Sequence, residues 1–397
     1  MRRKLLVLLE AGLILVGLLL GFSAWKVYSA LEQPLQVEQE QLLDVPTGTT
    51  PNRMFYRMQA QGLLDDPFWL RLYWRFNMAG VPLHTGEYRL QPGMNVRDLF
   101  ETWRRGDVVQ YNLTLVEGWN FRQVRAALAK HEKIEHTLDG LSDAEVMDKL
   151  GHRGVFPEGR FFPDTYRFVR GMSDIEFLQQ AYARLDEVLA KEWAARPAEL
   201  PYRDPYQALI MASLVEKETG VPQERAQIAG VFVRRMQLGM MLQTDPTVIY
   251  GMGERYNGKI TRADLREPTP YNTYVISGLP PTPIAMVGRE AIHAALNPAS
   301  GSSLYFVARG DGSHVFSDDL DGHNSAVREY QLKRRSDYRS SPAPATTPQT
   351  APDTPPQAAP GASEPVESSG PLEPPVEPEA PAGSTPPGAS PAQPSAQ

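Results

Sequence analysis

The N-terminus carries an apolar run that constrains this chain more than any other feature. Three basic residues lie within residues 1–4, and residues 5–25 follow with a single charge, at Glu10. As a helix, this run is about 32 Å long, which is enough to cross the hydrocarbon core of a bilayer. A cleaved signal peptide has a shorter apolar core of about 7–15 residues and ends in a small-residue cleavage site. The run is longer than that and lacks such a site, so we predict an uncleaved membrane helix.

The charges that flank the run predict its orientation. They precede the apolar segment, so the positive-inside rule places residues 1–4 in the cytoplasm. The rest of the chain is then expected beyond the cytoplasmic (inner) membrane, in the periplasm or its equivalent, as part of a single-pass protein. A net charge of −7, without an arginine-rich stripe, argues against nucleic acid as the main partner. Cysteine is absent, which excludes disulfides and thiolate metal sites.

The C-terminal residues 339–397 differ sharply in composition from the rest of the chain. They contain 17 of the 36 prolines, six acidic residues, one arginine and no aromatic residue. A segment of this kind cannot bury enough apolar surface to fold, so we predict a disordered tail. Between the membrane helix and the tail, the predicted elements mix strands and helices, which indicates an α+β fold.

A pentapeptide motif recurs in the N-terminal half. GMNVR at residues 93–97 returns as GWNFR at residues 118–122, each time after a predicted strand and at the start of a predicted helix. Two copies are too few for a solenoid, so we expect a small α+β module or a pair of packed strand–helix units. The aromatic residues of this region are expected in the core, with a carbohydrate-binding surface as the alternative.

The segment from Asp204 onward predicts a buried helix. Asp204 can serve as N-cap, Pro205 suits the first helical position, and Gln207 completes a capping box. Residues 208–215 are apolar on nearly every side, which is typical of a helix inside a core.

Two acids follow this buried helix directly. Glu216 and Glu218 stand just before Gly220 and Pro222, which end the helix. A carboxylic acid at the end of a buried helix is desolvated and holds its proton more tightly, as a general acid at neutral pH requires. A solvated surface run is the alternative interpretation. The spacing alone does not choose between the two acids.

Three segments around this helix have features of a binding site. Residues 155–170 combine proline, glycine and aromatic residues and are predicted to be a fixed loop. At residues 245 and 246, Asp-Pro predicts an N-cap followed by the first residue of a helix. Residues 268–281 are predicted to form a long ordered loop that exposes amide, hydroxyl and phenol groups.

Several of these motifs together resemble the YceG-like (MltG) family of bacterial membrane-bound endolytic murein transglycosylases. The resemblance covers nearly all of residues 1–335. It is carried by ASLVEKET at 212–219, LQTDPTVIYG at 242–251, YNTY at 271–274, GLPP at 278–281, FPDTY at 162–166 and His323-Asn324. The tail lies outside it.

The resemblance implies a domain organisation. Residues 26–39 are a tether, residues 40–107 form a LysM-like α+β module that binds peptidoglycan, and residues 108–338 form an α+β catalytic domain. The buried helix carries the catalytic glutamate, which matches the second acid, Glu218.

Other polar residues are candidate neighbours of Glu218. Six of them carry the donors, acceptors and stacking faces that a glycan groove uses: Gln243, Thr244, Asp245, Tyr271, Asn272 and Tyr274. Asp245 is interpreted first as an N-cap and only second as a further catalytic acid. Glu216 is a possible neighbour that tunes Glu218.

The implied reaction cleaves the bond between N-acetylmuramic acid and N-acetylglucosamine without water and leaves a 1,6-anhydro ring, so the enzyme is a carbon–oxygen lyase. One carboxyl group serves as acid and then as base, and no metal or cofactor is required. Peptidoglycan synthases are the expected protein partners, because cleavage near the membrane would limit the length of nascent strands. Two alternatives remain open: a muramidase-type hydrolase, and a non-catalytic, membrane-tethered scaffold that binds peptidoglycan.

Overall fold

The structure is a computed structural model that describes residues 2–331. The predicted tail, 339–397, and the last residues of the predicted catalytic domain lie outside this range. Within it the chain mixes helices with two-stranded antiparallel sheets, which confirms the α+β class.

The elements follow one another in an irregular order. The helices are α1 (Arg2–Leu31), α2 (Pro51–Ala60), α3 (Phe68–Asn77), α4 (Val96–Arg105), α5 (Phe121–Lys130), α6 (Asp143–Lys149), α7 (Asp174–Ala194), α8 (Pro205–Glu218), α9 (Arg225–Gln237), α10 (Asp245–Met252), α11 (Arg289–Leu296) and α12 (Leu320–Tyr330). The strands are β1 (Gln41–Val45), β2 (Gly86–Leu90), β3 (Gln110–Thr114), β4 (Thr165–Val169), β5 (Tyr305–Ala308) and β6 (His314–Ser317).

The apolar N-terminal run forms the larger part of α1. Residues 3–31 of this helix are long and apolar enough to cross a membrane. The helix continues past the predicted end at residue 25, and Leu31, Leu35 and Val37 are buried in the N-terminal core. The stretch 26–39 was predicted to be a tether, and this is wrong, because its apolar side chains pack against the module that follows.

The N-terminal module is built around one small sheet. β1 pairs with β2 in antiparallel register, with Leu43 opposite Tyr88, and α2, α3 and α4 contribute to a core rich in aromatic rings. The predicted start of α4 is confirmed, because the Asn95 side chain accepts a hydrogen bond from the Asp98 N–H in a capping box. Trp103 and Tyr88 are fully buried, as expected for core aromatics.

The second copy of the motif begins a second unit. β3 pairs with β4, and Asn120 caps α5 as Asn95 caps α4. β4 occupies residues 165–169, inside the segment predicted to be a loop. That prediction is wrong for these residues, because Phe168 is buried in the second core and its strand pairs with β3, about 50 residues earlier in the chain.

The third core surrounds α8. This helix packs against α7, α9, α10 and α11, and residues 208–215 are all buried, as predicted. Asp204 caps it by accepting from the Gln207 N–H at 2.9 Å. The Gln207 side chain accepts from the Arg203 N–H instead of closing a capping box on Asp204.

A hairpin and a helix close the described chain. β5 pairs with β6 in antiparallel register, and α12 packs against both strands. α12 begins at Leu320, where the Asp319 side chain caps it by accepting from the Gly322 N–H at 2.8 Å.

A buried carboxylate joins the N-terminal module to the second unit. Glu87 is 3% exposed and accepts from the Arg170 Nη1 at 2.7 Å, from the Lys133 Nζ at 3.1 Å and from the Tyr111 hydroxyl. Burial raises the pKa of this carboxyl group, but the three donors outweigh burial and hold the pKa below its usual value. Glu87 therefore stays ionised and links one strand of each unit.

Close packing between two loops gives a first prediction. Gly159 has φ +71°, and a Cβ there would clash with the Pro283 Cβ and lie 2.8 Å from its Cγ. Gly154 is the control: its φ of +79° is similar, but the space around it is open, so an alanine there meets the backbone strain without the clash. We expect Gly159→Ala to lower the free energy of unfolding by about 1–3 kcal/mol more than Gly154→Ala. Thermal unfolding of the two variants checks this, and equal losses would mean that the loops separate without cost.

Candidate functional site

Glu218 is the last residue of α8, where the buried helix reaches the surface of its core. Burial of its carboxyl group raises the pKa to about 7, and the nearby Asp245 carboxyl adds to this increase. A helix C-terminus carries partial negative charge, which also disfavours a carboxylate there. The fold therefore keeps Glu218 largely protonated up to neutral pH, as the sequence predicted for an acid at this position.

Three predicted site residues lie around Glu218. The Thr244 hydroxyl donates to the Glu218 Oε1, and this bond opposes part of the increase in pKa. The Tyr274 hydroxyl donates to the Asp245 Oδ1 at 2.7 Å. Glu218, Thr244, Asp245 and Tyr274 thus form one connected polar cluster, which we call the acid cluster.

Asp245 is not the N-cap that the sequence predicted. Thr244 occupies the N-cap position of α10, and neither side chain caps the helix. The Asp245 carboxyl group accepts from Tyr274 instead, and its burial raises its pKa. The prediction failed because the competing donor is 29 residues away in sequence and is visible only in the folded chain.

Buried hydroxyl groups hold the two loops of the acid cluster together. The Thr244 N–H donates to the Thr273 Oγ1 at 3.0 Å, and the Thr273 Oγ1 lies 2.8 Å from the Thr247 Oγ1. The Thr247 hydroxyl in turn donates to the Thr244 carbonyl oxygen at 2.7 Å. Because all three threonines are buried, the segment before α10 has a fixed position relative to the 271–274 loop.

Gln243 has a strained backbone directly beside Thr244. Its φ is 53°, the one positive φ of a non-glycine residue among residues 2–331. Residues held in such conformations cluster at functional sites, where the surrounding contacts impose the strain. Here the Arg235 Nη1 donates to the Leu242 carbonyl oxygen at 3.1 Å and to the Gln243 Oε1 at 3.2 Å.

Arg235 was missed in the sequence, although a signal was present. It follows Ile228 and Phe232 at helical spacing, so it lies on the inward face of α9. The structure shows it 6% exposed, with its guanidinium 4.9 Å from the Tyr305 ring centroid. An arginine at an inward position is rare unless its donors are used, and it therefore signals a polar site.

Tyr271 and Asn272 lie beside the acid cluster and have different surroundings. The Tyr271 hydroxyl is 2.9 Å from the Thr282 Oγ1, and its ring lies 4.8 Å from the Tyr250 ring. Asn272 is fully buried, and its amide donates to the Glu267 carbonyl oxygen at 2.8 Å. Tyr271 is partly exposed, so it can contact a ligand, whereas Asn272 holds the loop in shape.

Glu216 faces a different set of neighbours from Glu218. Its Oε2 accepts from the Gly288 N–H at 3.0 Å, and burial together with the Glu117 carboxyl raises its pKa to about 7. None of the six predicted groove residues contacts it through a hydrogen bond in the described chain. The spacing in the sequence does not distinguish Glu216 from Glu218, but their neighbours in the fold are different.

Glu158 is a further buried acid that sequence reasoning did not single out. It is 4% exposed and accepts from the Phe121 N–H at 3.1 Å and from the Tyr250 hydroxyl at 3.0 Å. Burial raises its pKa to about 7. The proline- and glycine-rich context of residues 157–159 was the available signal, since a glutamate inside a fixed loop tends to have a defined partner.

The acidic residues and histidines of the described chain do not gather into metal-ligand groups. Within residues 2–331, no cluster of three or more histidine, aspartate or glutamate side chains is placed to hold a metal ion.

Comparison with known proteins adds independent information. The family model described as YceG-like matches residues 43–329. An endolytic murein transglycosylase of Bacillus subtilis is 28% identical over 307 residues, covering 72% of this chain and 84% of that protein. An endolytic murein transglycosylase of Streptococcus pneumoniae is 24% identical over 322 residues, covering 72% of this chain and 57% of that protein. A crystal structure of a YceG-like protein from Listeria monocytogenes is 27% identical, with a TM-score of 0.45, and covers 73% of this chain and 99% of that one.

Proposed function

The chain belongs to the YceG-like family, and from this we infer that it is an endolytic murein transglycosylase, which cleaves peptidoglycan strands internally. The observation within the molecule that supports this function most directly is Glu218. Burial raises its pKa to about 7, the Thr244 hydroxyl donates to its carboxyl group, and the charge of Asp245 acts on it. An acid that is protonated near neutral pH is what cleavage of a glycosidic bond requires.

We propose that Glu218 first acts as the general acid. Its protonated carboxyl group donates a proton to the glycosidic oxygen between N-acetylmuramic acid and N-acetylglucosamine. The bond from that oxygen to the muramoyl C1 breaks, and the N-acetylglucosamine side leaves with a new hydroxyl group. Positive charge develops at C1, and the acetamido oxygen of the substrate stabilises it.

The same carboxyl group then acts as the base. Glu218, now ionised, accepts the proton of the muramoyl C6 hydroxyl while the C6 oxygen bonds to C1 and closes the 1,6-anhydro ring. The carboxyl group regains its proton, so the cycle is balanced without water, metal or cofactor. Thr244 fits both steps, because its hydroxyl can hold the orientation of the carboxyl group in either protonation state.

The hydrolytic alternative would require a second carboxylate to activate water. Asp245 is the first candidate, because it is the carboxyl group whose charge acts on Glu218, but it accepts from the Tyr274 hydroxyl. We propose instead that Asp245 acts on Glu218 through its charge, and that Gln243, Tyr271 and Tyr274 contact the glycan. Asn272 would then act only through the shape of its loop, and Glu216 only indirectly.

The N-terminal half supports a location at the membrane surface. We propose that α1 anchors the chain with residues 1–4 in the cytoplasm and the acid cluster outside. Residues 40–107 pack with Leu31, Leu35 and Val37 into one core, which supports a separate LysM-like module for binding peptidoglycan. Cleavage near the membrane would act on nascent strands and limit their length, with peptidoglycan synthases as partners.

Product analysis tests the reaction. Uncrosslinked peptidoglycan strands are incubated with the full chain in detergent, and the products are identified by mass spectrometry. Internal cuts that leave 1,6-anhydro ends are expected. Reducing ends would establish a hydrolase and return attention to Asp245, and strands that bind without being cut would favour the scaffold.

The pKa of Glu218 leads to a prediction for the pH dependence. The acid must be protonated, so we expect the rate to fall as pH rises above about 7. Thr244→Val removes a hydrogen bond that lowers this pKa, so the decline should move to higher pH. Asp245→Asn removes a charge that raises it, so the decline should move to lower pH. Rates of strand cleavage measured from pH 5 to 9 check both directions, and shifts of the same sign in both variants would contradict the assignment.

A further inference from the structure

Helix α3 has two apolar faces, and the protein covers only one of them. Leu70 and Trp74 are buried in the N-terminal core. Phe68, Leu72 and Phe76 follow one another at intervals of four residues, so they form a stripe on the side away from that core. Phe68 is 53% exposed and Phe76 is 72% exposed. Exposed apolar side chains aligned along one face of a helix mark a surface that meets another apolar phase.

The start of this helix touches α1 inside the predicted membrane segment. The Trp69 ring lies 6.4 Å from the Phe22 ring, edge to face. Phe22 lies three residues before the predicted end of the span at Trp25, which is about 4.5 Å along the helix axis. A bilayer that encloses residues 5–25 therefore brings its interface to the level of Trp69.

The residues around this contact are those that favour a membrane interface. Trp25 and Tyr28 are largely exposed, and the Lys26 Nζ lies 5.4 Å from the Trp25 ring centroid. α3 itself adds the exposed Arg75, whose guanidinium group suits a lipid phosphate, whereas the Arg71 guanidinium donates to the Tyr56 hydroxyl. Aromatic rings next to basic side chains are typical of the headgroup region.

We propose that α3 lies on the outer surface of the bilayer and inserts Phe68, Leu72 and Phe76 into the interface, so that the N-terminal module is docked on lipid. This rests on the membrane anchor proposed above. A helix that lies in the interface buries its apolar face by roughly 5–10 Å. α1 and α3 together then fix the tilt of the N-terminal module relative to the bilayer. A single membrane helix would leave that tilt free to vary.

Site-directed spin labelling of the full chain in lipid nanodiscs tests this. The chain has no cysteine, so Phe68→Cys and Phe76→Cys each carry one nitroxide at an exposed position. Arg153→Cys, on a side chain that is 84% exposed in the second unit, is the water-facing control, and Leu13→Cys in α1 is the lipid-facing control. Power saturation compares access to oxygen, which concentrates in lipid, with access to a water-soluble nickel chelate.

We expect the two α3 labels to be more accessible to oxygen than to the chelate, like the Leu13 label. Their ratio of oxygen to chelate accessibility should be lower than that of Leu13, because they lie at the interface. The Arg153 label should prefer the chelate. If the α3 labels match Arg153 while Leu13 remains in lipid, the docking is wrong and the anchor stands. If Leu13 is also open to the chelate, the anchor fails and the docking fails with it. Strand cleavage by the same labelled proteins reports on the enzymatic function separately.

Discussion

Glu218→Gln should lower the rate of strand cleavage by about 10²–10⁴-fold, the usual contribution of a general acid or base. An amide of the same shape can still accept the hydrogen bond from the Thr244 hydroxyl, so the acid cluster should keep its geometry. It cannot donate a proton to the glycosidic oxygen. Anhydro ends counted by mass spectrometry over time measure the loss.

Glu216→Gln is the matched control, because it changes the same residue type two positions earlier on the same helix. The amide that replaces Glu216 can still accept from the Gly288 N–H, and its neighbours lie outside the acid cluster. We expect a loss below about 10²-fold for this variant. The assignment fails if Glu216→Gln is the more damaging change.

The melting temperature of Glu218→Gln shows whether a loss of activity comes from the missing acid or from a damaged fold. The pKa of Glu218 is raised above 4.5 in the folded chain, so ionisation of the carboxyl group disfavours folding as pH rises through about 7. Glutamine removes that penalty. At pH 8 the melting temperature of the variant should therefore equal or exceed that of the parent, and a lower one would mean that Glu218 mainly supports the structure.

Glu87→Ala should be the most destabilising of the substitutions considered, at about 3–5 kcal/mol, because it leaves charged partners without their counter-ion. Lys133 and Arg170 both donate to this buried carboxylate. Because the lost interactions lie at the contact between β2 and β3, we expect the N-terminal module and the second unit to separate at a lower temperature than in the parent. Thermal unfolding of the detergent-solubilised chain, followed by hydrogen exchange of both strands, measures the effect.

Glu101→Ala is the control for Glu87, because Glu101 lies 3.8 Å from Arg105 and is exposed. An exposed pair of this kind contributes less than about 1 kcal/mol. The pKa of Glu87 is lowered in the folded chain, so its contribution is present above pH 4.5 and is lost as pH falls through the folded value. The difference in free energy of unfolding between Glu87→Ala and the parent should therefore become smaller as the pH falls. A difference that does not change with pH would argue against an ionic role.

Local signals in the sequence predicted the helix starts well. Asn95, Asn120 and Asp204 each cap a helix within three residues of themselves, so nothing distant competes with the pattern. The prediction for Asp245 failed because Tyr274 binds its carboxyl group across the site. The strand at 165–169 was missed because its partner, β3, lies about 50 residues earlier.

The choice between the two acids shows the same limit in the site itself. Glu216 and Glu218 are both buried enough to have a pKa of about 7, so burial alone cannot separate them. Their difference lies in Thr244 on one side and Gly288 on the other, and both are distant in sequence. The family resemblance favours Glu218, and the comparison of Glu218→Gln with Glu216→Gln tests that choice.

The threonine network has a consequence for how this enzyme can change over evolution. Glu218 belongs to a helix enclosed by four others, whereas Gln243 and Tyr274 belong to loops joined through Thr244, Thr247 and Thr273. If those loops contact the glycan as proposed, substitutions on their outer side would alter which peptide-substituted strands fit, while the proposed proton donor stays in place. Substrate preference can thus diverge among relatives while the pKa of Glu218 stays the same, provided that Asp245, Tyr274 and the three threonine hydroxyl groups are kept.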